Sequence, residues 1–204
     1  MSSQSIGVLT NEPRYSMFKA GDVCIKFKTS PYLDKLGKQI AAKEVTLISS
    51  PLSEELVDGY RSTADGYIAK NMPLIENGEL KNFIVSRYGA ARTGLKRSDS
   101  DGGCYIMNGG DTSLSDIIKN TKKGLLMNRF SAGSPGVNGD VTGVAKNSFL
   151  IENGQIVGAV SETMFSGNLT EMLMNVKAIS SERINDGSCI LPWVDFGGVT
   201  VSGK

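Results

Sequence analysis

Leu74-Ile75-Glu76-Asn77-Gly78 is repeated later in the chain as Leu150-Ile151-Glu152-Asn153-Gly154. The first copy runs on into Glu79-Leu80-Lys81-Asn82-Phe83-Ile84-Val85-Ser86, the second into Gln155-Ile156-Val157-Gly158-Ala159-Val160-Ser161. Asn-Gly between two apolar runs marks a two-residue hairpin turn, because both central residues of a type I′ turn need positive φ and Asn and Gly accept it most cheaply. The repeat therefore predicts two related hairpins within an antiparallel β core. None of its residues is equipped for catalysis, so it speaks of architecture rather than chemistry.

Working outward, the 204 residues suffice for one domain with a real core or for two small ones. Apolar residues make up 40% and charged residues 21%, as in ordinary globular proteins. The net charge of +1, with dispersed basic residues, argues against a nucleic-acid-binding surface. Three distant cysteines, Cys24, Cys104 and Cys189, do not make a disulfide framework. No leader-like segment and no run of about 18 apolar residues is present, so the expectation is a cytoplasmic protein with reduced thiols and no membrane contact. There is no histidine. That excludes Ser-His-Asp and Cys-His catalysis and histidine-based zinc helices within these residues, and leaves acid–base work to Asp, Glu, Lys, Tyr or Cys.

Residues 1–22 read as a weakly structured lead-in, 23–28 as a strand, 30–39 as a loop with a turn, and 45–48 as a short strand ending before Pro51. Residues 67–75 lead into the first hairpin and 80–86 leave it. The Gly-, Ser- and Asp-rich stretch 89–103 predicts a long exposed loop. One helix is predicted over 113–123, with Ser113 as N-cap, Asp116 at N3, and Leu114, Ile117, Ile118 and Thr121 on one face. A second is predicted over 168–179, capped by Asn168 and Glu171, with Leu169, Met172, Leu173 and Val176 buried. Met164, Met172 and Met174 read as core filling rather than a pliable binding surface. Strands are predicted over 125–130 and 144–151, an irregular segment over 131–140, and two short strands, 190–194 and 199–201, around Gly197-Gly198. The fold class is α+β: a mostly antiparallel, barrel-like sheet with two hairpins and two short helices.

Candidate chemistry is thin. Gly133–Gly139 resembles a phosphate cradle only in its glycines, for no Gly-Lys-Ser/Thr follows. Cys189, after Gly187-Ser188, is expected to be an inert, partly buried thiol, since Asp186 and Asp195 would raise its pKa. Glu152 and Glu162 read as surface residues. Ser131, Ser134, Ser188 and Cys189 are the loop nucleophiles on which an alternative reading, a hydrolase of another class, would rest.

A set of stretches in fixed order carries a resemblance: Leu33-Asp34-Lys35-Leu36-Gly37-Lys38-Gln39, Ile75-Glu76-Asn77-Gly78, Ser86-Arg87-Tyr88, Ala91-Arg92-Thr93-Gly94-Leu95-Lys96, Gly139-Asp140, Phe149 to Ile156, and Ser166-Gly167-Asn168-Leu169. They resemble the C-terminal half of the TldD/PmbA family, metallopeptidase-related proteins of which some are described as modulators of DNA gyrase. The likeness covers residues 23–203 and lies closer to the PmbA (TldE) side. It implies a domain over 23–204 that follows an N-terminal α+β domain in the family. It also implies a homodimer, or a heterodimer with a TldD-like subunit, that processes peptides. In catalytic members a His-Glu-x-x-x-His helix and a cysteine hold zinc. Here that helix is missing and only Gly187-Ser188-Cys189 resembles the cysteine segment, so no catalytic, cofactor or metal residue is carried over and no cofactor is expected in this chain. The expected role is a non-catalytic domain or partner subunit. The consecutive apolar residues Phe83-Ile84-Val85 and Phe149-Leu150-Ile151 further predict an association burying at least about 1,000 Å².

Overall fold

The computed structural model describes residues 4–10 as backbone and residues 30–133 and 135–203 in full. The predicted strand at 23–28, with Cys24, and Ser134 lie outside the described residues. In chain order the elements are β1 (Gln4–Thr10), β2 (Leu47–Ser49), β3 (Met72–Glu76), β4 (Glu79–Leu80), α1 (Arg87–Thr93), β5 (Tyr105–Met107), α2 (Leu114–Asn120), β6 (Lys123–Ala132), β7 (Asp140–Glu152), β8 (Gln155–Val160), β9 (Met164–Asn168), α3 (Leu169–Met174), β10 (Val176–Asn185) and β11 (Cys189–Ser202). They divide into two compact units. The first takes in 4–10, 109–183 and 192–203, the second 30–108 and 184–191.

In the first unit β6, β7 and β8 form an antiparallel meander, and β9 pairs antiparallel with β7. β11 pairs antiparallel with β9 and with β1, and β1 runs parallel to β6. The pairings thus return from β11 through β1 to β6. Residues 4–10 are therefore not a weakly structured lead-in but a strand flanked on both sides. Both partners are distant in sequence, and a short mixed segment announces no such pairing locally. Residues 190–201 form one long strand rather than two. Val8 stands opposite Phe196 and Ile6 opposite Val199, so β11 carries one extra residue there, a bulge with Gly198 at φ +77°. The core beneath α2 joins Ile117, Leu126, Ile151 and Trp193, with Leu114, Ile118, Phe149 and Ala178 packed against them.

The second helix ends at Met174, and Val176 opens β10, a partner of β11. Val176 and Ile179 suit a strand once β11 offers a ladder, so tertiary pairing overrides the helical spacing. Asn168 caps the N–H of Thr170. Of the three methionines, Met172 is buried while Met164 and Met174 are half-exposed, so core filling describes one of them.

In the second unit β2 pairs antiparallel with β3 and β5, β3 with β4, and the start of β11 runs parallel to β5. β4 is only two residues long, yet Phe83, Ile84 and Val85 behind it are buried. Residues 89–103 are not a long exposed loop. Ser86 accepts from Gly89 N to start α1, and Gly94 at φ +72° ends it, which brings the described helices to three. Beyond it Ser98 and Ser100 are buried, the latter bonded to Ser49 Oγ at 2.6 Å and Tyr60 Oη at 2.8 Å.

Both repeated turns form as predicted. Asn77 and Gly78 have φ of 50° and 78°, Asn153 and Gly154 of 50° and 79°. Each turn is also packed from behind. A Cβ on Gly78 would meet the Ala41 carbonyl oxygen at 2.4 Å, and one on Gly154 the Lys119 carbonyl oxygen at 2.4 Å. The second turn is thereby docked on the end of α2, with Asn153 N and Gly154 N donating to the carbonyls of Lys122 and Thr121.

Candidate functional site

Cys189 opens β11 beside Tyr105 of β5. The turn before it is organised by Asp186, whose Oδ1 accepts from the N–H groups of Ser188 (2.9 Å) and Cys189 (2.7 Å) and from the Ser188 hydroxyl (3.0 Å). Burial opposes ionisation of Asp186, but these donors outweigh it and hold its carboxyl below the ordinary range. Burial pushes the Cys189 thiol up, against a backbone bond from Tyr105, with Asp186 and Asp58 adding to the rise. The sequence expectation of Asp186 as a raising neighbour holds; the second carboxylate is Asp58 rather than Asp195. Cys104 is buried, donates to the Asp58 carbonyl at 3.2 Å and is pushed up as well, first by burial and then by Cys189. Both groups are therefore held as thiols, the poor nucleophilic form. Among the described residues no group of three or more Asp, Glu, Cys or His is placed to hold a metal ion.

The glycine-rich turn between β6 and β7 spends its backbone on itself. Gly136 N donates to the Asp140 carbonyl, Gly139 N to the Gly136 carbonyl, and Leu169 N to the Gly139 carbonyl. Asn168 Nδ2 reaches the Asn138 carbonyl and Asp140 Oδ1. An open recess of about 580 Å³ beside it is lined by Gly133, Asp140, Val141, Thr142, Ser166 and Gly167. The charged side chain among its described lining residues is an acid, Asp140, which disfavours a phosphate. Ser188 bonds Asp186 and Cys189, with no Lys among its partners. Glu152 stands opposite Lys123 and Gln155, not Glu162.

Sequence reading missed a tightly bonded charged cluster. Arg97 donates from Nη2 to Asp65 Oδ1 (2.6 Å) and Thr63 Oγ1 (2.7 Å), and from Nε to Asp65 Oδ2 (3.1 Å). Its guanidinium stacks 4.0 Å from the Tyr67 ring centroid. Asp65 Oδ2 also accepts from Arg87 N at the start of α1. The Arg97 bond, against some burial, holds the Asp65 carboxyl far below the ordinary range. The partners lie 32 residues apart, so no local spacing announces them. The first unit holds a contrasting group. Asp195 is buried, its Oδ1 has no partner, and burial pushes its pKa up against the attraction of Lys177.

The chain matches the family of the PmbA/TldA metallopeptidase C-terminal domain over residues 1–203. It is 29% identical to the metalloprotease PmbA of Escherichia coli over 182 residues, covering 84% of this chain and 40% of that protein. A candidate modulator of DNA gyrase from Bacteroides thetaiotaomicron superposes with a TM-score of 0.87 at 24% identity, over 100% of this chain and 48% of that one. TldE from Thermococcus kodakarensis superposes with a TM-score of 0.82 at 22% identity, over 100% and 51%. The chain thus spans about two fifths of the length of the curated relatives it matches.

Proposed function

Because the chain belongs to the PmbA/TldA metallopeptidase C-terminal domain family, we propose that it serves as a non-catalytic domain or partner subunit in peptide processing. The observation that carries this reading is the ligand inventory. The 204 residues contain no histidine, and the described ones hold no cluster of three metal-ligating side chains. Zinc catalysis needs about three protein ligands and an open position. A metalloprotease relative implies such a metal, but the residues of this chain do not fit it alone. Cys189, half-buried and held as a thiol, is a single donor. No step of a metal-assisted hydrolysis is therefore assigned to these residues.

The partner follows from the same premise: a second copy of the chain or a TldD-like subunit that supplies the zinc helix. The strand β8 supports association. Among the described residues it pairs with β7 alone, and Ile156 and Val157 are about half exposed on an edge that carries no charge from 153 to 161. Metal analysis and a peptidase assay on the purified chain test the reading. No stoichiometric zinc and no chelator-sensitive cleavage are expected alone, with cleavage appearing when a TldD-like protein is added. Stoichiometric zinc with cleavage by the chain alone would overturn it. No observation favours a Ser- or Cys-based hydrolase.

A further inference from the structure

The face of the second unit around Asp65 has a composition that the peptide-processing reading does not use. Residues 61–101 hold seven basic residues against five acidic ones, in a chain whose net charge is +1, and one of those acids, Asp101, accepts from Ala64 N. Arg61, Lys70, Arg87, Arg92 and Lys96 are exposed, and none is in an ion pair among the described residues. Glu76 and Glu79 face Lys81, and Asp65 is spent on Arg97. Among these cations stand three large side chains in water: Ile68 at 80% exposure, Tyr88 at 58% and Tyr67 at 46%. The two rings are held under guanidinium groups, Tyr67 by Arg97 and Tyr88 by Arg92 at 5.8 Å.

The local fold keeps these groups together. Ser62 bridges Ile68, Ala69 N donates to the Arg61 carbonyl, and Lys70 N donates to the Asp99 carbonyl. Asp65 ties this hairpin tip to both Arg97 and the first residue of α1. A solvated charged face needs no Ile at its tip. Arginine with tyrosine around an exposed aliphatic anchor is instead the composition of a protein contact surface.

We infer that this face binds an acidic polypeptide segment, carboxylates against Arg61, Lys70, Arg87 and Lys96, with an apolar side chain seated on Ile68 and the two tyrosines. Charge complementarity selects that occupant. An isologous contact with a second copy would set like charges against each other. A nucleic-acid backbone would leave Ile68 without an apolar partner.

Fluorescence anisotropy tests this, with the 204-residue chain titrated into a fluorescein-labelled peptide of Asp, Glu, Leu and Phe. Saturable binding is expected that weakens as salt shortens the Debye length. The Arg61→Glu, Lys70→Glu double variant is expected to weaken it at least about 10-fold, and Ile68→Ser by a comparable factor at unchanged salt dependence. All three positions are exposed, and an unchanged circular dichroism spectrum shows that the variants remain folded. No binding, or binding that neither variant weakens, overturns the inference. So does tighter binding of a labelled DNA duplex that the same double variant weakens, which would make the face a nucleic-acid contact.

Discussion

Two carboxylates show how placement alone decides what a charge does to this fold. Asp65 is met by a two-pronged guanidinium, a hydroxyl and a backbone N–H. With its pKa lowered in the folded state, it contributes stability that is fully present above the unfolded value of about 3.9 and is lost as pH falls through the folded value. Arg97→Met is expected to cost about 2 kcal/mol at neutral pH, since it strands a partly buried acid and removes the guanidinium bonds to Asp65 and Thr63. Denaturant titrations should show the gap between variant and wild type closing below about pH 4; a gap independent of pH would mean that the ion pair is not what stabilises. Asp195 has the opposite sign. Its raised pKa means that its favourable contribution is present below about pH 4 and is lost as pH rises through the folded value. Asp195→Asn is therefore expected to stabilise by about 1 kcal/mol at neutral pH relative to its effect in acid. An equal effect at both pH values would show that this carboxyl does not titrate on unfolding.

At the level of elements, the features written locally were the legible ones. The Asn-Gly pairs state their own turn geometry, and Ser113 caps Asp116 N as its spacing requires. Elements decided by distant partners were not legible: β1 between β6 and β11, β10 in place of the end of a helix, and the bulge that turns two strands into β11. α1 is the intermediate case, since Ser86 and Gly94 are ordinary cap residues hidden in a stretch that reads as loop. Of the candidate site, Cys189 and Asp186 were legible as neighbours in sequence, whereas the Asp65–Arg97 pair exists only through folding. The turns permit a graded test. Gly94 and Gly154 have similar positive φ, but a Cβ on Gly94 meets nothing within 4 Å while one on Gly154 strikes a backbone oxygen. Gly94→Ala is expected to cost about 1 kcal/mol from conformation alone, and Gly154→Ala about 2 kcal/mol or more because the end of α2 must also move. Equal losses in thermal denaturation would show that the hairpin tip gives way freely.

For the whole molecule, the question is what the exposed apolar surface implies. Phe83, Ile84 and Val85 are buried, so the first hairpin's apolar run offers no free surface for an interface. The second hairpin does. Ile151 is buried while β8, on the outer side of β7, exposes Ile156 and Val157. The bulge at Val157, where Leu150 faces Gly158 and Ile151 faces Ile156, offers this edge some protection, but no lysine or proline guards it. If β8 is the contact strand, one charge at its centre should remove association while leaving the fold intact, because Val157 already stands in water. Sedimentation across a wide concentration range is expected to show the wild-type chain associating and Val157→Lys remaining monomeric at the same concentrations. The interface should bury at least about 1,000 Å² in total, enough for a specific contact. Association that survives Val157→Lys would move the interface off β8, and a wild-type chain that stays monomeric throughout, with no TldD-like partner retained, would show that the bulge alone suffices to keep the edge unpaired.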